Sequence, residues 1–502
     1  MGPDVTRHTA ILDPEHRFDA IIVGAGPAGI FAALELARRS SLRILLIEKG
    51  CDLSERRCPA RTTGRCAHCD PCDITCGWGG AGAFSDGKLT LSPEIGGWLG
   101  EYVDPPQLQE AITEVDLLWR EFGAPETLYG TDPERVDSWR TKALAHHLKL
   151  IDSPIRHMGT ERCVEVLGAM RRYLEGRVQV TTDTSVARLK VESLDAPAGG
   201  AADVAAGGAE DVPAAGRRVT GVVTDSAEEF ESPVVILAPG REGAAWLKEE
   251  ARRLELSVTS NAVDIGVRVE VPAVVTDTIT ADLYEPKLLY RSAYFEDPVR
   301  TFCMNPRGVV STESYGDVVT VNGHSYADPE KHTLSTNFAL LVSTRFTQPF
   351  NDPIAYGKSI ARLANLLGND IIVQRLVDLQ AGRRTTPERL ARCMLPPTLP
   401  EATPGDLSFV LPYRHQRDIF DMLEAMDGLL PGVAGRDTLL YGVEVKFYSS
   451  RLELDRDLRT KVDGLYAVGD GAGVTRGLVQ ASASGLVAAR AVLGGWRVRL
   501  SA

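Results

Sequence analysis

Three glycines, Gly24, Gly26 and Gly29, stand in the spacing G-x-G-x-x-G, and a carboxylate, Glu48, follows 19 residues after the last of them. Each residue type has a task if the ligand is a dinucleotide. Gly24 permits a tight turn, Gly26 lets the backbone approach a pyrophosphate, and Gly29 lets a helix pack closely on a sheet. The free N–H groups and partial positive charge of a helix N-terminus complete the phosphate site. Glu48 can accept hydrogen bonds from an adenosine ribose and would repel a 2′-phosphate, which argues against NADP here. A second carboxylate, Asp470, sits in Leu465-Tyr466-Ala467-Val468-Gly469-Asp470-Gly471-Ala472-Gly473. It is suited to a polyhydroxyl chain, with the following helix N-terminus facing an anion such as a reduced flavin.

The elements that must position these groups are legible. Asp19–Val23 is a short apolar run that predicts a strand buried on both faces, and Ile30–Arg39 predicts a helix. Leu42–Ile47 predicts a second strand ending at Glu48, so the unit reads as βαβ. Leu108–Glu121 and Cys163–Tyr173 predict helices. Val178–Val180, Val186–Val191, Arg218–Thr224 and Val234–Leu237 predict strands. Gly464–Val468 predicts a strand before a small-residue helix over Leu478–Leu493. The stretch 194–216 has 14 Ala or Gly among 23 residues and reads as a flexible loop lengthening the tip of a β-meander; a linker between domains is the rival reading. Asn305-Pro306-Arg307-Gly308 and Val321-Asn322-Gly323 read as turns, and Ala339–Thr344 as extended chain.

The paired segments IIVGAGPAG and GLYAVGDGAG resemble the signatures of oxidoreductases with the glutathione-reductase-type FAD fold. Val234–Leu247 (VVILAPGREGAAWL) resembles that fold's third segment. CGWGGAGAFSDGKL (76–89), DIGVRVEVP (264–272), RTFCMNPRGVV (300–310), VNGHSY (321–326) and TNFALLVS (336–343) are similar to one branch of the superfamily, the uncharacterised FAD-dependent dehydrogenases. The resemblance spans nearly the whole chain and is specific for the flavin rather than the substrate. It implies that Gly24, Gly26 and Gly29 hold the pyrophosphate, Glu48 the adenosine ribose and Asp470 the ribityl chain. It also implies that Gly79, Gly80, Ser85 and Asp86 approach the flavin ring. Pro27, Ala28, Lys49, Gly240, Gly469, Gly477 and Leu478 complete the expected cofactor-binding set. No second dinucleotide turn is present, so NAD(P)H is expected only as a transient reductant.

Six of nine cysteines fall between Cys51 and Cys76. Cys66, Cys69, Cys72 and Cys76 are spaced C-x2-C-x2-C-x3-C as in bacterial ferredoxins, with Gly77 where proline usually follows. Cys58 with Cys66, Cys69 and Cys72 is the other tetrad. An iron–sulfur cluster, a structural zinc and free thiols all remain open. Proton handling near a flavin needs a titratable group, and Lys88, Cys303, His324 and Tyr326 are the candidates. Arg383 and Arg384 are either a carboxylate clamp or a solvated basic pair.

The 502 residues carry 55 Lys+Arg against 68 Asp+Glu, a net charge of −13, which argues against nucleic acid as a partner. No apolar run reaches the ~20 residues of a membrane span, and Met1–Arg17 lacks a secretory core, so a cytoplasmic place is expected. The expected class is α/β: a discontinuous, three-layer Rossmann-like FAD-binding domain with an inserted α+β substrate domain. The expected pieces are a tail (1–17), the FAD domain (18–263 and 441–502, with a Cys-rich loop at 51–90) and the substrate domain (264–440). The expected activity is hydride transfer between a small organic substrate and flavin N5, as dehydrogenation or C=C reduction. Alternatives are an electron-transfer partner passing electrons to a carrier protein through a Cys-bound cluster, and a non-catalytic flavin-binding protein.

Overall fold

A computed structural model describes residues 16–59, 67, 69–194, 216–346 and 352–500. The strand Ala20–Val23 is fully buried, as its unbroken apolar run requires, and lies at the centre of a five-stranded parallel sheet. Its neighbours are Ile44–Ile47 on one side and Val235–Leu237 on the other; Gln179–Thr181 and Leu465–Ala467 form the edges. The last strand comes from the far end of the chain, so the domain is discontinuous. Helix Pro27–Arg39 starts with Pro27 in its first turn, where a missing N–H costs nothing. It packs on helix Leu478–Leu500 so closely that a Cβ on Gly485 would stand 2.1 Å from the Ala28 carbonyl oxygen. An antiparallel meander, Val186–Ser193, Arg217–Thr224 and Glu229–Glu231, adds Leu189, Val222 and Phe230 to the same core. Leu194 N–H donates to Gly216 O at 2.6 Å. The Ala/Gly stretch therefore joins two paired strands rather than two domains. Its residues 195–215 lie outside the described residues, as do 1–15 of the expected tail.

The second domain is built on an eight-stranded sheet. Its long central strands, Val263–Pro272, Ser335–Thr344 and Leu439–Lys446, are antiparallel, and Pro298–Asn305, Lys287–Arg291 and Lys149–Ile151 continue one side. Two expected boundaries move. Leu439–Lys446 is one continuous strand, so a division at 440/441 cuts through it. Residues 133–151, expected in the first domain, supply an edge strand and a helix that place Trp139, Ala143 and Leu150 in the second core. Periodicity identifies a strand but not the sheet that accepts it.

Asn322-Gly323 is also not a turn. Both residues lie in the strand Val318–His324, which pairs with Val309–Tyr315. Gly323 is required there for closeness: an added Cβ would stand 2.2 Å from Asn305 Nδ2 and 2.5 Å from Arg268 Nη1. The helix over 478–500 contains an 18-residue stretch, Leu478–Gly495, long and apolar enough to cross a membrane, and 61% of it is buried within the fold.

Candidate active site

A cavity of about 1310 Å³ lies between the two domains. That exceeds the ~300–1,000 Å³ of most small-molecule sites, so a large cofactor and a second molecule fit together. One end is the first βα turn. Gly24 has φ +106°, and a Cβ there would stand 2.1 Å from the Ala238 carbonyl oxygen; only glycine allows this crossing of the sheet. A Cβ on Gly26 would meet nothing within 4 Å, because that face opens into the cavity. The helix behind it has no side-chain cap and no acidic residue in its first turn, so its N–H groups are available to an anion. Gly240 and Gly477 likewise line the cavity with open space at their Cβ positions. These open glycine surfaces around an uncapped helix end fit a dinucleotide.

Pro27, Ala28, Glu48, Lys49, Gly80, Ser85, Asp86, Gly469, Asp470 and Leu478 also line the cavity. Gly29 and Gly79 stand behind it. A Cβ on Gly29 would clash at 1.9 Å with the Gly24 carbonyl oxygen, and Gly79 N–H donates to Ala25 O at 2.8 Å. Their roles are packing. Glu48 is more heavily used by the protein than its expected ribose role requires. Its Oε2 accepts from Ala25 N–H at 2.7 Å, and its Oε1 from Gly77 and Gly50 N–H at 2.8 and 3.0 Å. With two lone pairs per oxygen, one position on Oε2 is left for a ribose hydroxyl. Asp470 accepts from Thr475 Oγ1 at 2.9 Å, and burial pushes its pKa up despite Arg476 and Arg241 nearby.

The other end of the cavity holds a polar cluster. Lys88, on the short strand Lys88–Thr90, donates to Met304 O and Asn305 Oδ1, both at 2.7 Å, and pairs with Asp86 at 2.9 Å. Cys303 Sγ is 3.7 Å from Lys88 Nζ. Burial raises the thiol pKa, outweighing Lys88. Burial also works against the Lys88 ammonium, but the Asp86 and Glu285 carboxylates hold it charged. Cys303 sits at φ +45° where the register of its strand shifts, a strained position for a non-glycine residue. Arg268 maintains it. This fully buried guanidinium donates Nη1 to the Cys303 carbonyl at 2.8 Å and pairs two-pronged with Glu444, at 2.7 and 2.6 Å. Beside the cluster, His157 faces Lys88 across the strand pair and accepts from or donates to Tyr284 OH at 2.7 Å. Burial pushes its pKa down to about 4.

Two expected proton-handling residues are placed elsewhere. His324 and Tyr326 do not line the cavity; their rings meet edge to face at 4.8 Å. His324 ends the strand that replaces the expected turn and lies within electrostatic range of Asp86, while Tyr326 follows beyond the strand. Arg383 pairs with Asp378 at 2.8 Å away from the cavity. Arg241, Arg300, Lys446 and Phe302 do line it. Only the pairing of distant strands brings them there, although 241 and 300–302 lie inside family-like segments.

The described cysteines are free thiols, and among the described residues no three His, Cys, Asp or Glu side chains are placed to share a metal. Cys66 lies outside the described residues. Cys76 lines the cavity, Cys69 is exposed, and Cys58 and Cys72 are half-buried. The segment is pinned by Arg56, whose buried guanidinium donates to the carbonyls of Asp73, Ile74 and Trp78 at 2.7–2.9 Å and lies over the Phe84 ring.

Residues 22–69 match the family model of the NAD(P)-binding Rossmann-like domain, and residues 262–447 that of the FAD-dependent protein, C-terminal domain-like. The second match coincides with the central strands of the second domain. An "Uncharacterized protein" of Clostridium beijerinckii is 26% identical, covering 94% of this chain and 80% of its own. Among solved structures, L-proline dehydrogenase from P. horikoshii aligns with a TM-score of 0.40 at 10% identity, over 96% of this chain and 94% of its own. Glycine oxidase from Geobacillus kaustophilus aligns with a TM-score of 0.33 at 13% identity, over 95% and 92%.

Proposed function

We propose that this chain, which carries a Rossmann-like dinucleotide domain and the C-terminal domain of FAD-dependent proteins, is an FAD-dependent oxidoreductase acting on a small organic substrate by hydride transfer. The observation that carries the reading is the single cavity lined by both the open glycine turn and the Lys88–Cys303 pair. FAD supplies the acceptor or donor of the hydride at its N5 when bound. Gly26 and the uncapped helix behind it would hold the pyrophosphate, Glu48 the ribose, and Asp470 the ribityl hydroxyls.

The chain's own residues handle the proton. Burial keeps Cys303 as the neutral thiol. In the reducing direction its S–H gives a proton to the substrate carbon, and the Lys88 ammonium 3.7 Å away stabilises the thiolate left behind. In the oxidising direction the thiolate takes the proton back. Asp86 keeps Lys88 charged and Arg268 fixes the thiol's position through the Cys303 carbonyl. NAD(P)H enters this reading only as a transient donor, and the electron acceptor is a small molecule or a carrier protein. The net charge of −13 argues against nucleic acid as a partner.

The test is anaerobic titration of the FAD-reconstituted protein with NADH, NADPH and a metabolite panel. Bleaching by one class and recovery by another is expected. Asp470→Ala should weaken FAD binding with the fold retained. A folded protein that stays colourless after incubation with FAD overturns the reading.

A further inference from the structure

The second domain's wall of the cavity is one face of its eight-stranded sheet, and register decides which side chains reach it. Asp264 pairs with both Lys446 and Ser343, and Leu289 pairs with Arg300, so all these residues alternate onto the cavity face. Arg300 is held there through Nη2 alone, which donates to Asp264 Oδ2 at 2.6 Å and Tyr448 OH at 2.8 Å. Buried Asp264 is itself fixed by Ser343 Oγ at 2.5 Å. The guanidinium lies over the Phe302 ring, 4.8 Å from its centre. Nε and Nη1 have no partner among the described residues, and the side chain is 26% exposed. Arg345, two residues beyond Ser343, lines the same cavity with neither hydrogen bond nor ion pair among the described residues.

The contrast with the neighbouring cations is informative. Lys88 and Lys446 give their donors to Asp86, Glu444 and Glu313. Arg300 has its charge offset by Asp264 but keeps the N–H groups of Nε and Nη1 as separate donors without a partner among the described residues, and its supporting contacts fix them in place. Arg345 adds a positive charge with no protein counter-ion among the described residues. Fixed, unpartnered guanidinium N–H donors beside an uncompensated cation match a carboxylate, which only accepts hydrogen bonds and carries the opposite charge.

We propose that Arg300, assisted by Arg345, is an anion subsite that binds the carboxylate of the substrate, so the enzyme acts on an organic acid. This rests on the cavity being the site of an FAD-dependent oxidoreductase. The probe is benzoate against its uncharged isostere benzamide, titrated calorimetrically into the FAD-loaded protein. Benzoate is expected to bind at least about tenfold more tightly than benzamide. Arg300→Gln should remove that preference and Arg345→Gln reduce it, with FAD stoichiometry unchanged. Arg300→Lys, which keeps the charge but not the Nε and Nη1 donors, should also weaken benzoate. Equal affinity for the two probes, or full benzoate binding by Arg300→Gln, overturns the proposal, as does absence of millimolar benzoate binding to fully yellow protein. A colourless protein that still prefers benzoate would instead overturn the flavin reading while leaving the subsite standing.

Discussion

Lys88 and Cys303 are 215 residues apart in the chain and 3.7 Å apart in the cavity wall. Lys88 belongs to the loop-rich segment of the first domain, and Cys303 to the bulged strand of the second. The pair therefore exists only when the domains are docked, and the proton-handling site is a property of their interface. Cys303→Ser should leave FAD occupancy intact and lower turnover by about 10²–10⁴-fold, the usual worth of one acid–base group. Flavin absorbance and steady-state kinetics on the same sample check this. Lys88→Met should cost stability as well, by about 3 kcal/mol at most, because it strands the largely buried Asp86 carboxylate.

Two glycines of one turn should fail differently. Gly26→Val projects into open space, so thermal stability should be kept and FAD lost. Gly24→Ala meets the Ala238 carbonyl oxygen at 2.1 Å with φ +106°, so the fold itself should suffer. Thermal melts and flavin content together separate the outcomes; loss of both properties in Gly26→Val would remove it from the phosphate site.

Arg56 is expected to be the clamp of the cysteine-rich segment. Arg56→Met deletes three charge-assisted bonds to backbone carbonyls, each worth about 1.5–3 kcal/mol at most. Limited proteolysis should then cut in residues 69–78 at sites protected in the parent protein. An unchanged digestion pattern would show that something else holds the segment.

Asp418 is buried on helix Tyr413–Leu429, next to the Asp297 carboxylate and Ser292. Burial raises its pKa to about 6, so the folded protein disfavours the charged form. Between the unfolded value near 3.8 and about 6, the folded state holds the proton more tightly, so this group's contribution to stability falls as pH rises and is lowest above 6. Asp418→Asn should therefore stabilise the protein at pH 8 by up to about 3 kcal/mol, with the gain vanishing below about pH 4. Melting temperatures across that range give the comparison; a gain independent of pH would count against the charge argument.

Much of the cofactor half is legible in the chain's own order, because its rules are local. A buried strand, a glycine turn and a helix start are neighbours in the chain, and Gly24, Gly26 and Asp470 follow from steric and dipolar requirements within a few residues. Glu48 is legible as a ligand group, yet its use by three backbone N–H donors is not, since Gly77 arrives through a loop with no periodicity. The same locality misleads at Asn322-Gly323: the dipeptide reads as a turn, but its glycine makes room for Arg268 and Asn305 from two other strands.

The amino-acid order alone determined the dinucleotide turn, the discontinuous first domain and the candidacy of Lys88 and Cys303. Only the tertiary structure decided that these two meet, that His324 and Tyr326 are not among the residues lining the cavity, and that Arg300 keeps unpartnered donors there. Backbone conformation and the α/β period are set by adjacent residues. Which side chains share a cavity depends on the register between strands far apart in the chain, where a one-residue slip would turn each side chain to the opposite face.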